Sequence, residues 1–201
     1  ASARNVRRVG QLDLHGAGQF NIGDRYAYVG HIPNKDDLGT TIVDIADPAN
    51  PRVVATVAVD DRTSHSHKVR VAGDIMIVNH ERNPTAAGRR AQDMPAIRRG
   101  LREALGRDPT RAELLQKLNL TEADLAEIEK DEARPYRNGG FRIFDVSTPA
   151  KPKLIHHQLT GGIGVHRFDM DERYAYISTE MEGFVGNILV IYDLHEPSKP
   201  Q

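Results

Sequence analysis

Three stretches of this chain are copies of one another, and that repetition limits the possible folds more than any other property of the sequence. GDRYAYVGH at 23–31, AGDIMIVNHE at 72–81 and DERYAYISTE at 171–180 each set a turn pair ahead of alternating β-formers. Downstream lie TTIVDIADPANP (40–51), FRIFDVSTPAKP (141–152) and ILVIYDLHEPSKP (188–200). Each joins an apolar run to an aspartate (Asp44, Asp145 or Asp193) and then to two prolines three residues apart. Alternation with β-branched residues predicts strands. The Asp-x-x-x-Pro-x-x-Pro segment predicts a turn, because proline gives no donor to a ladder and restricts the residue before it. In such a turn the aspartate caps backbone amides and carries no chemistry. A further strand follows two of the turns, RVVATVAV (52–59) and KLIHHQL (153–159), and NVRRVGQLDL (5–14) reads as a strand of the same type.

Each unit therefore holds four short strands over about 48 residues, the period and content of a propeller blade. The shared pattern, aromatic-Ala-Tyr-Val and then apolar-Ile-Val-Asp-x-x-x-Pro-x-x-Pro, resembles the LVIVD-repeat family across nearly all of the chain outside one insertion. The resemblance implies an all-β fold, a β-propeller with about three four-stranded blades. Members of that family are mostly described only as repeat proteins, many of them exported, so an exported or periplasmic location is the one it favours. Three blades do not close a ring, since propellers use about four to eight. The remaining blades are expected from the same longer chain or, less favoured, from a second copy that completes a dimeric ring.

Residues 83–138 break the repeat and predict helices at 94–105, 108–118 and 121–133, with Thr121 and Asp124 near a capping box and Pro135 as the stop. The organisation expected is thus blade 1 and the start of blade 2 over 1–82, a helical insertion or lid over 83–138, and the end of blade 2 with blade 3 over 139–201. The string LGRDPTRAELLQKLNLTEADL (105–125) is similar to the short helices of bacterial sigma factors. Its charges are mixed, the net charge of the chain is −1, and no nucleic-acid partner is expected. No apolar run approaches the length of a membrane span. The absence of cysteine excludes disulfides, thiolate metal sites and a cysteine nucleophile.

The nine histidines carry the functional signal. His67 and His166 precede the centres of their following strands, Ile77 and Tyr176, by the same number of residues, and Gly18 holds that position in the first unit, with His15 three residues earlier. Glu81 and Glu180 also match each other, against Ile32 in the first unit, and His80, Thr179 and His31 match one residue before. In a propeller the first strand of a blade lines the axis and the second returns to the face from which the first entered. His67 and His166 should then stand near the axis on one face, with Glu81 and Glu180 farther out on that face, below the helical insertion.

Imidazoles and carboxylates converging in a covered cavity suit a transition metal ion such as iron, copper or zinc. His67 and His166 are the expected ligands, His15 a third, and His65 and His80 further candidates. Glu81 and Glu180 are expected to orient the imidazoles or move protons. Propeller enzymes with axial histidine-bound metals, such as carotenoid oxygenases and the selenium-binding/methanethiol oxidase family, resemble this arrangement in architecture. The function expected is metal-dependent catalysis (oxidation, hydrolysis or lyase chemistry) on a small-molecule substrate. The alternative is a non-catalytic, exported scaffold that binds a partner protein.

Overall fold

The structure, a computed structural model, describes residues 4–33, 36–61, 63–83, 86–133, 136–181 and 186–201. Its strands form three antiparallel sheets. The first is a four-stranded meander of β1 (Ala17–Gly23), β2 (Tyr26–His31), β3 (Leu38–Asp44) and β4 (Arg52–Ala58). The second holds β5 (Ser64–His65), β6 (Val69–Ala72), β7 (Ile75–Arg82), β8 (Gly140–Asp145) and β9 (Lys153–Leu159), with β5 and β6 pairing to successive parts of β7. The third is β10 (Arg167–Met170), β11 (Tyr174–Glu180) and β12 (Asn187–Asp193). The helices α1 (Ala86–Leu105), α2 (Arg111–Leu118) and α3 (Glu122–Glu132) lie between β7 and β8 in the chain.

The sequence repeat is a repeat of register. Asn21 pairs with Tyr28, Arg70 with Ile77 and Asp169 with Tyr176 at the centres of the first hairpins. The next ladders match as well: Tyr28 faces Ile42, Ile77 faces Ile143 and Tyr176 faces Ile191. Even the irregularities coincide, with a bulge between Ile42 and Val43 in one sheet and between Ile143 and Phe144 in another. The repeated aspartates act as turn caps. Asp44 accepts from the amide of Ala46, Asp145 from that of Ser147 and Asp193 from that of His195, each at 2.9 Å. Arg25 and Arg173, each in the preceding hairpin turn, pair with Asp44 and Asp193.

The sheets stack through their apolar faces. Tyr28 and Ile42 of the first sheet pack with Val69, Met76, Val78 and Phe144 of the second. On the opposite face Ile77, Phe141 and Ile143 pack with Phe168, Ala175 and Ile177 of the third. Ile42, Ile77, Ile143 and Ile177 are completely buried, and burial of each such side chain contributes about 1.5–3 kcal/mol. The first strands β1 and β10 both lie against β6.

Backbone bridges tie each sheet to the entry of the next. The His31 amide donates to the Ser66 carbonyl at 3.2 Å, in a bridge that pairs these two residues. Glu81 bridges Gly164 in turn, and the Arg82 amide donates to Ile163 at 2.9 Å. With His67 aligned on His166 and His31 on His80, both bridges have one antiparallel register. The seam between the first and second sheets is therefore repeated between the second and third.

The structure departs from the sequence expectations in three places. Residues 5–14 form no strand; Val6 is 75% and Val9 53% exposed. Among the described residues this segment pairs with no strand, and a lone strand leaves its backbone groups unpaired. Helix α1 starts at Ala86 rather than 94, and Pro95, expected at its first turn, lies inside it on an exposed face. Ala91 and Met94, in the turn before the proline, are buried in a helical core with Leu114, Leu125 and Ile128, which holds the helix through that position. Helix α2 starts at Arg111, after a full capping box of Thr110 and Glu113; the one at Thr121 and Asp124 is also complete. The expected stop at Pro135 falls outside the described residues. The chain divides into two compact units, the β-sheets with Arg137–Gln201 and the helices over Pro84–Tyr136.

Candidate functional site

The seam between the second and third sheets gathers polar side chains in an apolar setting. β7 is buried nearly throughout and reads Ile-Met-Ile-Val-Asn-His-Glu-Arg, so polar groups begin where the strand reaches the end of its sheet. Glu81 is buried there, opposite His65 in the β5–β7 ladder. Nε2 of His65 lies 3.5 Å from Oε2 of Glu81, and Nδ1 of His67 lies 3.9 Å from the same oxygen. The two imidazoles stack, with ring centres 4.7 Å apart and planes 20° from parallel. His65, His67 and Glu81 each offer a ligand atom, and these atoms all lie within 4.8 Å of one another.

His166 arrives from the third sheet. Its Nδ1 is 2.9 and 3.0 Å from the two oxygens of Glu81, so the ring N–H donates to the carboxylate. The His67 and His166 rings lie 5.4 Å apart. Asn79, fully buried two residues before Glu81, locks the cluster from below. Its amide nitrogen donates to the carbonyl of Val165 at 3.1 Å and lies 3.4 Å from both Glu81 and His67, and its oxygen accepts from the Lys68 amide at 2.8 Å. Asn79 thus fixes the backbone on both sides of the seam. Sequence reasoning passed over it; the one signal was an amide within an otherwise apolar strand.

Burial sets the charge states. It pushes the pKa of His65 down to about 4 and of His67 to about 3, with the Lys68 ammonium adding to both shifts. These imidazoles are therefore neutral at pH 7, the form that ligates metals. Lys68 is itself pushed down, by burial first and by Arg167, while Glu81 opposes the shift. Its Nζ donates to Nε2 of His67. Nδ1 of His65 is buried with no hydrogen-bond partner among the described residues, where most buried polar atoms have one.

Glycines make the room. A Cβ on Gly30 would lie 2.5 Å from the carbonyl carbon of His67, and one on Gly18 would lie 3.1 Å from its oxygen. Gly18, which holds the histidine position of the first unit, lets the His67 backbone approach β1. On the other side a Cβ on Gly164, whose φ is +93°, would lie 2.3 Å from the His80 carbonyl.

The remaining candidates lie elsewhere. The His15 side chain is exposed, and its carbonyl accepts from Nδ1 of the buried His31 at 2.8 Å. Glu180 pairs through its backbone with Gly161, and its carboxylate fills the space above Gly162. His80 is fully buried and bonds Asp61 at 3.0 Å, with the His157 ring edge-on at 5.0 Å. The matching positions are equally internal: His31 bonds Thr41 at 2.8 Å and Thr179 is buried. Asp60, Asp61 and His80 also bring ligand atoms together. Burial would raise the Asp61 carboxyl, yet bonds from Ser64, Thr63 and His80 outweigh it and hold the carboxyl well below its usual range. Asn138 donates to the same oxygen, and Asp60 pairs with Arg142. Those lone pairs are already committed to protein donors, whereas Nδ1 of His65 has no partner among the described residues.

A family model for the LVIVD repeat matches residues 17–59 and 136–160. Over those residues the chain is similar to the LVIVD repeat. The first match spans β1 to β4, a blade-like four-stranded meander, and the second covers β8 and β9. His65, His67 and Glu81 lie between the two matched segments in the chain. No curated protein matches the chain.

Proposed function

We propose that the LVIVD blades belong to a closed β-propeller and that His65, His67 and Glu81 bind a transition metal ion that serves catalysis on a small molecule. One observation carries the reading: three ligating groups, His65 and Glu81 buried and His67 partly so, with donor atoms within 4.8 Å of one another, meet where a neighbouring blade supplies a fourth group, His166, to the carboxylate. Two imidazoles and one carboxylate suit zinc or non-haem iron, each of which leaves coordination positions open to water or substrate in such a set. Calcium and magnesium would be served poorly, because they take oxygen ligands. The neutral state of both imidazoles supports the same assignment, as does Nδ1 of His65, which has no hydrogen-bond partner among the described residues. When bound, the metal would supply Lewis acidity or activate a water.

The protein's own contributions follow from the geometry. His166 holds Glu81 through both carboxylate oxygens and so fixes its orientation. Asn79 fixes the depth of His67 beneath that carboxylate. The exposed edge of His166 offers a nitrogen that can accept a proton beside the site. Metal analysis of the purified protein, reloaded in turn with zinc, iron and copper, tests the proposal. Near-stoichiometric binding is expected, lost in His65→Ala and His67→Ala with circular dichroism unchanged. Folded wild-type protein that retains no transition metal after reloading would sink it.

A further inference from the structure

Beside the histidine cluster, on the side of the first strands, the fold leaves a cleft of about 290 Å³, near the lower end of the about 300–1,000 Å³ typical of small-molecule sites. Its walls carry three cations. Lys68 immediately precedes β6, Arg70 lies within it, and Arg167 opens β10. Arg70 is held by Asp169 at 2.9 Å. Among the described residues no carboxylate forms an ion pair with Lys68 or Arg167. Phe168, almost buried, and Leu189, 65% exposed, give the cleft an apolar side, and Ser178 adds a hydroxyl. Lys68 is shared between the two features, because the ammonium that lines the cleft also donates to Nε2 of His67.

Lys68 and Arg167 repel each other, and the Glu81 carboxylate of the neighbouring histidine cluster acts on Lys68 in the opposite sense. An anion set between them would relieve the repulsion and would gain charge-assisted hydrogen bonds from both. We infer that Lys68 and Arg167 form an oxyanion subsite, and that the molecule acted on at the histidine cluster is a small organic acid, bearing a carboxylate or phosphate group joined to an apolar part. Arg167 presents a planar fork to two oxygens, and Lys68 holds the same group against the His67 side of the cluster. The apolar part lies along Phe168 and Leu189. The catalytic role of this subsite rests on the metal reading above; its anion binding does not.

Calorimetric titration of the full chain distinguishes the two. Phenylacetate, phenyl phosphate and the neutral phenylacetamide are the probes, each tested on metal-reloaded and on chelator-treated protein. At least one of the two acids is expected to bind, the tighter of them naming the oxyanion, and the amide is expected to bind about tenfold more weakly or not at all. Arg167→Gln and Lys68→Gln are each expected to weaken the acid about tenfold, with Arg167→Lys recovering part of the loss. Arg167 is exposed, so its replacement leaves the core intact. Acid binding that survives chelation and depends on Arg167 upholds the subsite even where metal binding fails. Metal binding without acid binding, or acid binding indifferent to Arg167→Gln and Lys68→Gln, overturns the subsite and leaves the metal reading standing.

Discussion

Replacing Glu81 by glutamine keeps the shape of the side chain and removes its charge, so metal affinity should fall while the β5–β7 ladder survives. His166→Ala removes only the group that orients the carboxylate, and a loss of about 10–100-fold in metal affinity is expected. Competition titration with a metal indicator measures both; equal losses for the two variants would place His166 on the metal itself. In metal-free protein, pH reports on the same residues. The folded-state pKa values of His65 and His67, about 4 and about 3, lie below the ordinary value of 6.5. The folded state therefore binds fewer protons than the unfolded one below about pH 6.5, so stability is full above that pH and is lost on acidification toward the folded values. Melting temperature should drop between about pH 7 and about pH 5, and the drop should flatten in His65→Gln/His67→Gln. A melting temperature that rises on acidification would contradict the assigned burial. At this scale the sequence was only partly legible. That His67 and His166 stand close together was legible through repeat phase, because identical hairpin registers carry identical phases to equivalent places. The burial of Glu81 against both rings was not, since phase says where a residue leaves a strand and not which way its side chain turns. His65 was undervalued for the same reason: the two-residue strand that buries it exists only through its pairing with β7.

Strand β2 and the entry to β6 approach too closely for any side chain between them. Gly30→Ala should therefore force the His67 backbone away from β2, cost about 1–3 kcal/mol, and weaken metal binding together with stability. Gly100→Ala is its counterpart in an exposed helix interior, with nothing within 4 Å of the added methyl. It should stabilise by about 0.5–1 kcal/mol. Chemical denaturation of the two variants tests the pair, and a neutral Gly30→Ala would show that the seam has slack. The strands and turns were legible from alternation and from the Asp-x-x-x-Pro-x-x-Pro spacing, because local chemistry alone dictates both. The segment at 5–14 has the pattern of a strand and lacks a ladder, since a strand depends on a neighbouring edge that its own residues cannot supply. Helix α1 was read too short because proline marks a helix start on local grounds, while the burial of Met94 carries the helix across it.

The helical unit has a core of its own, with Met94, Leu125 and Ile128 almost fully enclosed. Met94→Ala should destabilise that unit by about 2–5 kcal/mol and lower helical circular dichroism on heating, yet leave metal content unchanged. Metal loss in this variant would tie the helices to the site. In the β unit the zipper that joins one blade to the next is the same at both seams, but the side chains above it differ. At the first seam Ile32 and His67 stand where the second has Glu81 and His166. The cluster is therefore owned by a pair of adjacent repeats and by neither alone. Copying a single repeat would duplicate the scaffold without duplicating the cluster. A tandem array built this way can keep one junction polar and leave its sister junctions free to diverge, with no change to the hydrogen-bonded frame they share.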